Sequence, residues 1–380
     1  MVLKSPYKLD EFLGLEYFIT DTKGIKGKLR VFVEDFYVEE IPLDSYGEGE
    51  DYLHFILEKR NWDTLQAIKA MARALRISHK RFCFAGTKDK RAVTKQRIAV
   101  YKLREEQLQK VAIKGIKIHI LGRGGRIYLG DAKGNKFRII IREIENAKEI
   151  FKTREQLRVK GIPNYFGYQR FGTTRPNTHL VGREIIKGNL EEAVLSYLAK
   201  PFESESREAY NARKFLESTR DYKRALEIFP DNLRYEKAML NHLVKKPRDY
   251  AGALRKLPLK LRRMLVHAYQ SYLFNKILSK TIEMQEEIKG RKIPLIGYRT
   301  KLGEIEKEIL EKEGIKKENF KIKSMPELSL EGSERDACID SEIKVELLNS
   351  NACVFNFTLP KGSYATVVLR EFMKAEPLNY

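Results

Sequence analysis

Phe82-Cys-Phe-Ala85-Gly-Thr-Lys-Asp89-Lys-Arg-Ala-Val-Thr-Lys-Gln96-Arg-Ile-Ala-Val-Tyr101 is the stretch on which the reading of this chain turns. The apolar run Phe82 to Ala85 reads as a buried strand, Gly86 ends it in a turn, and alternation resumes from Gln96 to Tyr101. Asp89 therefore sits on a loop between two strands, where a rigid frame can present one carboxylate. Lys88, Lys90 and Arg91 flank it. Nearby cations favour the ionised form, which suits a nucleophile, or a site for a phosphate-rich partner, better than a general acid. The plainer alternative is an ordinary polar hairpin tip, since such residues dominate turns.

Upstream, Leu29-Arg-Val-Phe-Val-Glu-Asp-Phe-Tyr-Val-Glu-Glu40 predicts a strand, Tyr46-Gly-Glu-Gly49 a turn, and Tyr52-Leu-His-Phe-Ile-Leu57 a second strand. Leu65, Ile68, Met71, Ala72 and Leu75 recur at helical spacing behind a cap at Asp63 or Thr64. Downstream come a short helix over Glu105 to Val111, a strand at Ile116 to Ile120, and Gly122-Arg-Gly-Gly125. That last segment lacks the third glycine of a dinucleotide fingerprint and reads as a hairpin turn. Gly134-Asn-Lys-Phe-Arg-Ile-Ile-Ile-Arg-Glu143 predicts a turn and strand, and a helix follows to about Leu157. Gly161-Ile-Pro-Asn-Tyr-Phe-Gly-Tyr-Gln-Arg-Phe-Gly172 interleaves aromatics with glycine; such a loop can stack on bases or simply cap a core.

From about Asn189 to Met284 the composition turns to helix formers, with Leu254-Arg-Lys-Leu-Pro-Leu-Lys-Leu-Arg-Arg263 the most basic strip. Alternation returns at Ile343 to Leu347 and Val354 to Thr358. Leu359-Pro-Lys-Gly-Ser-Tyr-Ala-Thr-Val-Val-Leu-Arg-Glu371 follows, where Ser363 is placed to cap a final helix whose free N–H groups, with Lys361, would attract an anion. Strands thus bracket helices. The economical topology is α+β: one mixed domain made from both chain ends, interrupted by an α-rich insertion.

With 73 Lys and Arg against 52 Asp and Glu, the 380-residue chain carries a formal net charge of +21. An excess of one sign on this scale points to a polyanion, nucleic acid first, because each neutralised phosphate releases counterions. A thermophile's surface also enriches Lys and Glu, but that explains charge density rather than charge imbalance. A membrane is disfavoured, since no stretch approaches ~18 uninterrupted apolar residues. Cys83, Cys338 and Cys353 fit no C-x-x-C pair, and the six histidines show no ligand spacing, so neither a disulfide framework nor a metal site is expected. The acidic start, Met1-Val-Leu-Lys-Ser-Pro-Tyr-Lys-Leu-Asp-Glu11, does not read as a signal peptide, and the expected location is cytoplasmic.

Three segments in this order, Ala85 to Gln96, Pro163 to Gly172 and Leu359 to Glu371, resemble the TruD family of pseudouridine synthases. Glu34-Asp-Phe-Tyr-Val-Glu39 and Gly134-Asn-Lys-Phe137 extend the resemblance over nearly the whole chain outside its helical middle. It implies a pseudouridine synthase catalytic domain over 1–172 and 341–380, with a family-specific insertion over 173–340. It also implies isomerisation of uridine to pseudouridine in RNA, typically at position 13 of tRNA, without a metal or other cofactor and without an obligatory protein partner. Asp89 matches the family's catalytic aspartate. Phe137 matches an aromatic near the target base, with Asn135 in the same turn. Arg30 stands where a basic residue, often lysine, precedes the E-D-F motif.

Arg370 is the expected partner of Asp89, and Asn164, Tyr165, Phe166 and Lys361 complete the expected substrate contacts. The target base must leave its stack, at a cost of roughly a few kcal/mol for base-flipping enzymes in general, and Phe137, Tyr165 and Phe166 are expected to offset it. The rival reading is a basic RNA-binding protein without catalysis, which would have no need of Asp89. A nucleotide hydrolase fails on spacing, because no G-x-x-x-x-G-K-[ST] is present. A metal nuclease would stop in EDTA.

Overall fold

The structure, a computed structural model, describes residues 2–380. The chain divides into two compact units: Met1–Phe18 with Pro163–Cys338, and Ile19–Ile162 with Ile339–Tyr380. These boundaries differ from 172/173 and 340/341. Residues 1–18 and the aromatic loop 163–172 group with the helical middle rather than with the sheet.

The second unit is built on a nine-stranded mixed sheet, and the α+β expectation holds. Along the sheet the order is Lys344–Asn349, Ala352–Pro360, Ala132–Ile144, Phe36–Pro42, Val93–Tyr101, Tyr52–Arg60 and Ile116–Gly124. Lys26–Lys28 pairs with Ala132–Ile144, and Phe82–Phe84 with Val93–Tyr101. All pairings are antiparallel except Phe36–Pro42 with Val93–Tyr101, which is parallel. The last two strands of the chain lie beside the middle of its first half, as a domain assembled from both ends requires.

Register sets which side chains share a face. Phe137 lies opposite Val38 and Phe357, and Asn135 opposite Glu40 and Leu359. Thr94 lies opposite Val38 on one side and Lys59 on the other. Because successive residues of a strand alternate between faces, Asn135, Phe137, Glu40, Thr94, Gln96 and Lys59 belong to one face. The helix Thr64–Ala74 covers one end of that face through Ile68, Met71 and Ala72 against Leu53, Phe55 and Leu57. The final helix, Ala365–Met373, covers the other end, with Phe372 edge-on to Phe355 at 4.9 Å. Polar groups are concentrated between the two helices.

Several local expectations are corrected. The strand expected from Leu29 starts only at Phe36; before it the chain makes a short 3-10 turn, Val33–Asp35, in which the Phe32 N–H donates to Asp35 at 2.8 Å. Gly122-Arg-Gly124 is not a hairpin turn but the end of a strand, with a register shift opposite His54 and Phe55. Its glycines absorb that irregularity, Gly122 at φ 113°. Asn135 is likewise in a strand rather than a turn, two residues before Phe137. Ser363 does not cap the final helix: Tyr364 occupies the cap position and makes no side-chain cap. Asp63 does cap Thr64–Ala74, accepting from the N–H groups of Leu65 and Gln66. Thr64 is thereby released for another use described below.

Gly134 carries a stability prediction. A Cβ there would lie 2.1 Å from the carbonyl oxygen of Leu359, a backbone atom that cannot step aside. Gly134→Ala is expected to destabilise the sheet unit by about 1–3 kcal/mol, as overpacking does. A lowered urea midpoint at unchanged slope would register it.

The first unit is helical, centred on Leu259–Glu283, against which Thr178–Lys187 packs so closely that a Cβ on Gly182 would sit 2.1 Å from the Leu265 oxygen. Arg213, 1% exposed, donates to Glu205 and Glu236 at 2.8 Å each and to the carbonyls of Tyr197 and Leu198, so its buried charge is fully engaged. Among the described residues no helix is long and apolar enough to cross a membrane.

Candidate active site

Asp89 lies on the loop between Phe82–Phe84 and Val93–Tyr101, as its sequence context predicts. Its carboxylate is half-exposed, and the Arg30 guanidinium donates to it at 2.8 Å. The guanidinium on Asp89 is thus Arg30's and not Arg370's. Arg370 is 1% exposed within the final helix, with Glu371 4.0 Å away, so it is not a surface arginine either. Burial pulls the Arg30 pKa below its ordinary value, and the charge of Asp89 works against that pull.

Arg30 is held in an unusual conformation. Its φ is +56°, a region that costs a residue with a Cβ and recurs at functional sites. Its guanidinium lies 4.1 Å from the centre of the Phe36 ring, and its carbonyl accepts from Arg91 at 3.1 Å. Phe36 meets Phe137 edge-on at 6.4 Å, and Phe137 stacks on Phe357 at 5.4 Å. A continuous row therefore runs from the carboxylate through the guanidinium to three phenylalanines. Asn135, on the same face as Phe137, has a buried Oδ1 with no hydrogen-bond partner, and the Arg30 Nε and the Thr94 hydroxyl are also buried without one. Buried polar atoms in native proteins are nearly always paired. Asn135 and Thr94 share the sheet face of Phe137, and Arg30 packs on Phe36 in the same row, so these atoms mark a place where a polar ligand would complete the set.

The loop carrying Asp89 is itself fastened. Gln96 donates to the Gly86 carbonyl at 2.9 Å and accepts from Thr64 at 3.0 Å, while the Lys88 N–H donates to the Thr64 hydroxyl at 2.9 Å. Lys88 also pairs at 2.6 Å with Glu40, whose side chain is 1% exposed. Beneath the loop, Lys59 donates to the carbonyl of Asp89 itself. Of these anchors only Lys88 was read from the sequence as functional, as one of the cations flanking Asp89; Thr64, Gln96, Glu40 and Lys59 were not. One signal was available for Lys59: it continues the inward phase of Leu53, Phe55 and Leu57, where a lysine has no reason to be unless it has a partner.

Lys361 donates to the Gly130 carbonyl at 3.2 Å. Asn164, Tyr165 and Phe166 belong to the helical unit and are buried there. Asn164 donates to the Asp336 carbonyl and accepts from Arg335, and the Tyr165 hydroxyl meets Ser279 at 2.9 Å. The Phe166 ring lies under Arg335 at 4.3 Å. These side chains pack that unit's interior. Among the described residues, no group of three or more His, Cys, Asp or Glu side chains is arranged to hold a metal ion.

Comparison with known proteins places this architecture. The family model for tRNA pseudouridine synthase D (TruD) matches residues 12–292 and 291–372. A Methanosarcina mazei protein named "Probable tRNA pseudouridine synthase D" is 39% identical, over 98% of this chain and 99% of its own length. A Methanopyrus kandleri protein of the same name is 43% identical over 87% and 88%. The crystal structure of a TruD protein from Methanosarcina mazei superposes with a TM-score of 0.84 at 39% identity, over 97% of this chain and 98% of the other. The chain belongs to the tRNA pseudouridine synthase D (TruD) family.

Proposed function

We infer that this chain is a tRNA pseudouridine synthase, an isomerase that converts uridine to pseudouridine, with position 13 of tRNA as its target and the cytoplasm as its location. The observation that carries the reading is the ion pair of Asp89 with the half-buried Arg30 at the head of an aromatic row, in a chain of this family. The reaction breaks the bond between uracil N1 and ribose C1′, turns the ring, and rejoins it through C5, which gives up its proton while N1 takes one up. No electrons are gained or lost overall, so the chemistry rests on a carboxylate and on an enclosure that keeps the detached base.

In this reading Asp89 is the catalytic carboxylate. Whether it adds to the sugar or the base, or removes a ribose proton, its carboxylate must be oriented, and the Arg30 guanidinium at 2.8 Å orients it. The Phe137 and Phe357 rings give a flipped uracil an apolar bed, in partial exchange for the stacking it leaves. The unpartnered Oδ1 of Asn135 is an acceptor, and uracil N3–H is a donor of matching kind. The test is to incubate the protein with unmodified tRNA, label pseudouridine chemically and map it. Product at position 13 without added cofactor is expected; no product from a folded protein on an intact transcript refutes the assignment.

The net charge of +21 predicts how tRNA is held. Phosphate contacts release counterions, so log K for tRNA is expected to fall linearly and steeply with log salt. Filter binding between about 50 and 200 mM salt, the range over which several phosphate contacts already weaken binding by orders of magnitude, checks this; a flat response would count against phosphate binding.

A further inference from the structure

Lys59 lies in the Tyr52–Arg60 strand with none of its surface exposed to solvent. Its Nζ donates to the carbonyls of Trp62 at 2.7 Å, Asp89 at 2.8 Å and Lys88 at 3.2 Å. An ammonium has three N–H donors, and here all three go to main-chain oxygens: one at the entry to the Thr64–Ala74 helix, two on the loop that carries Asp89. Burying a lysine is costly unless its charge is matched, so a side chain that only filled space at this inward position would be expected to be apolar, as Leu53, Phe55 and Leu57 are. Gln96 and Thr64 fix the loop at Gly86 and Lys88. Of these anchors only Lys59 reaches residue 89 itself.

We propose that Lys59 is a positioning residue for catalysis: its charged amine clamps the peptide groups of Lys88 and Asp89 and thereby aims the Asp89 carboxylate at the substrate. The proposal rests on the reading of Asp89 as the catalytic carboxylate. Lys59 touches neither substrate nor reacting atoms and acts through the main chain. The clamp requires the proton, because a neutral amine has two N–H donors for three carbonyls. Burial lowers the Lys59 pKa from its ordinary value to about 8; the charged groups facing it are Asp89 and Asp63, which raise it, and Lys88, which lowers it further. Above that pH the folded protein loses this proton before the unfolded chain does. Since the unfolded chain then binds more protons, this group makes folding more favourable as pH rises through the window. A fall in turnover there is therefore not unfolding caused by Lys59.

The test is steady-state turnover of the full chain on unmodified tRNA, with Asp89→Asn alongside. Lys59→Met keeps an unbranched chain out to Cε and removes every donor. It is expected to lower kcat by about 30- to 100-fold, the scale of a small misplacement of a reacting group, with KM for tRNA within about threefold. Lys59→Gln, which keeps an N–H donor group, should fall between. In the wild type, kcat should decline as pH passes about 8 with unchanged circular dichroism, and Lys59→Met should lack that decline. A Lys59→Met enzyme with wild-type kcat, or one altered in KM alone, overturns the proposal. If Lys59→Met does not fold, the wild-type profile decides, and a kcat that is level across that window overturns it. An active Asp89→Asn enzyme would instead remove the parent reading.

Discussion

Asp89→Asn is expected to reduce pseudouridine formation by roughly 10⁴-fold or more, the scale on which enzymes lose turnover when the reacting group goes, while tRNA binding stays within a few-fold. The substitution keeps the shape of the side chain and its ability to accept from Arg30, so the loop has no reason to move. It removes only the negative charge. Affinity for tRNA draws on a charge excess spread over the whole chain, to which one half-exposed carboxylate contributes little. Binding and turnover should therefore separate cleanly, and single-turnover labelling at saturating enzyme reads turnover without the binding term. A basic RNA-binding protein without catalysis would show no such separation, because it would make no product in either form. Full activity of the variant would end the role assigned to Asp89.

The parts of this site legible in the sequence are those in which local chemistry and local structure coincide. Asp89 stands out because a strand, a glycine turn and a run of cations surround it within a dozen residues. Asp63 is legible because a cap works within three residues of its own position. Phe137 and Arg30 needed the family resemblance, since alternation places a phenylalanine on a face without saying what the face is for. What stayed hidden depends on long-range register. Asn135 was assigned to a turn because glycine-asparagine is a turn signal. In the fold, Gly134 is there for a different reason, the approach of the Leu359 carbonyl from a strand more than two hundred residues later.

The partner of Asp89 illustrates the same limit. Arg370 was the candidate because it lies in a matching motif, yet Arg30 reaches Asp89 through a left-handed backbone position that no propensity assigns to arginine. The aromatic loop at 163–172 shows the opposite outcome. Its composition allowed either base stacking or core capping, and its rings are buried in the helical unit with defined partners. A glycine-rich aromatic stretch is equally able to do both, and only packing distinguishes them.

Arg30 is expected to show the second largest effect. Arg30→Met removes the cation from a half-exposed carboxylate and leaves an apolar chain against Phe36, so kcat is expected to fall by about 10²- to 10³-fold through lost orientation and charge, with tRNA affinity little changed. Arg30→Lys keeps the charge but not the planar group that lies 4.1 Å from the Phe36 ring centre, so a loss of about tenfold is expected. All three residues carry a Cβ and bear the strain of φ +56° alike, so the comparison isolates the side chain. The decisive measurement is the double variant. If Arg30 works by aiming the Asp89 carboxylate, Arg30→Met added to Asp89→Asn should cost almost nothing more, because groups acting as one unit are not additive. If the two losses multiply, Arg30 contacts the substrate independently of Asp89, and the ion pair in the free protein is then a resting arrangement that tRNA binding takes apart.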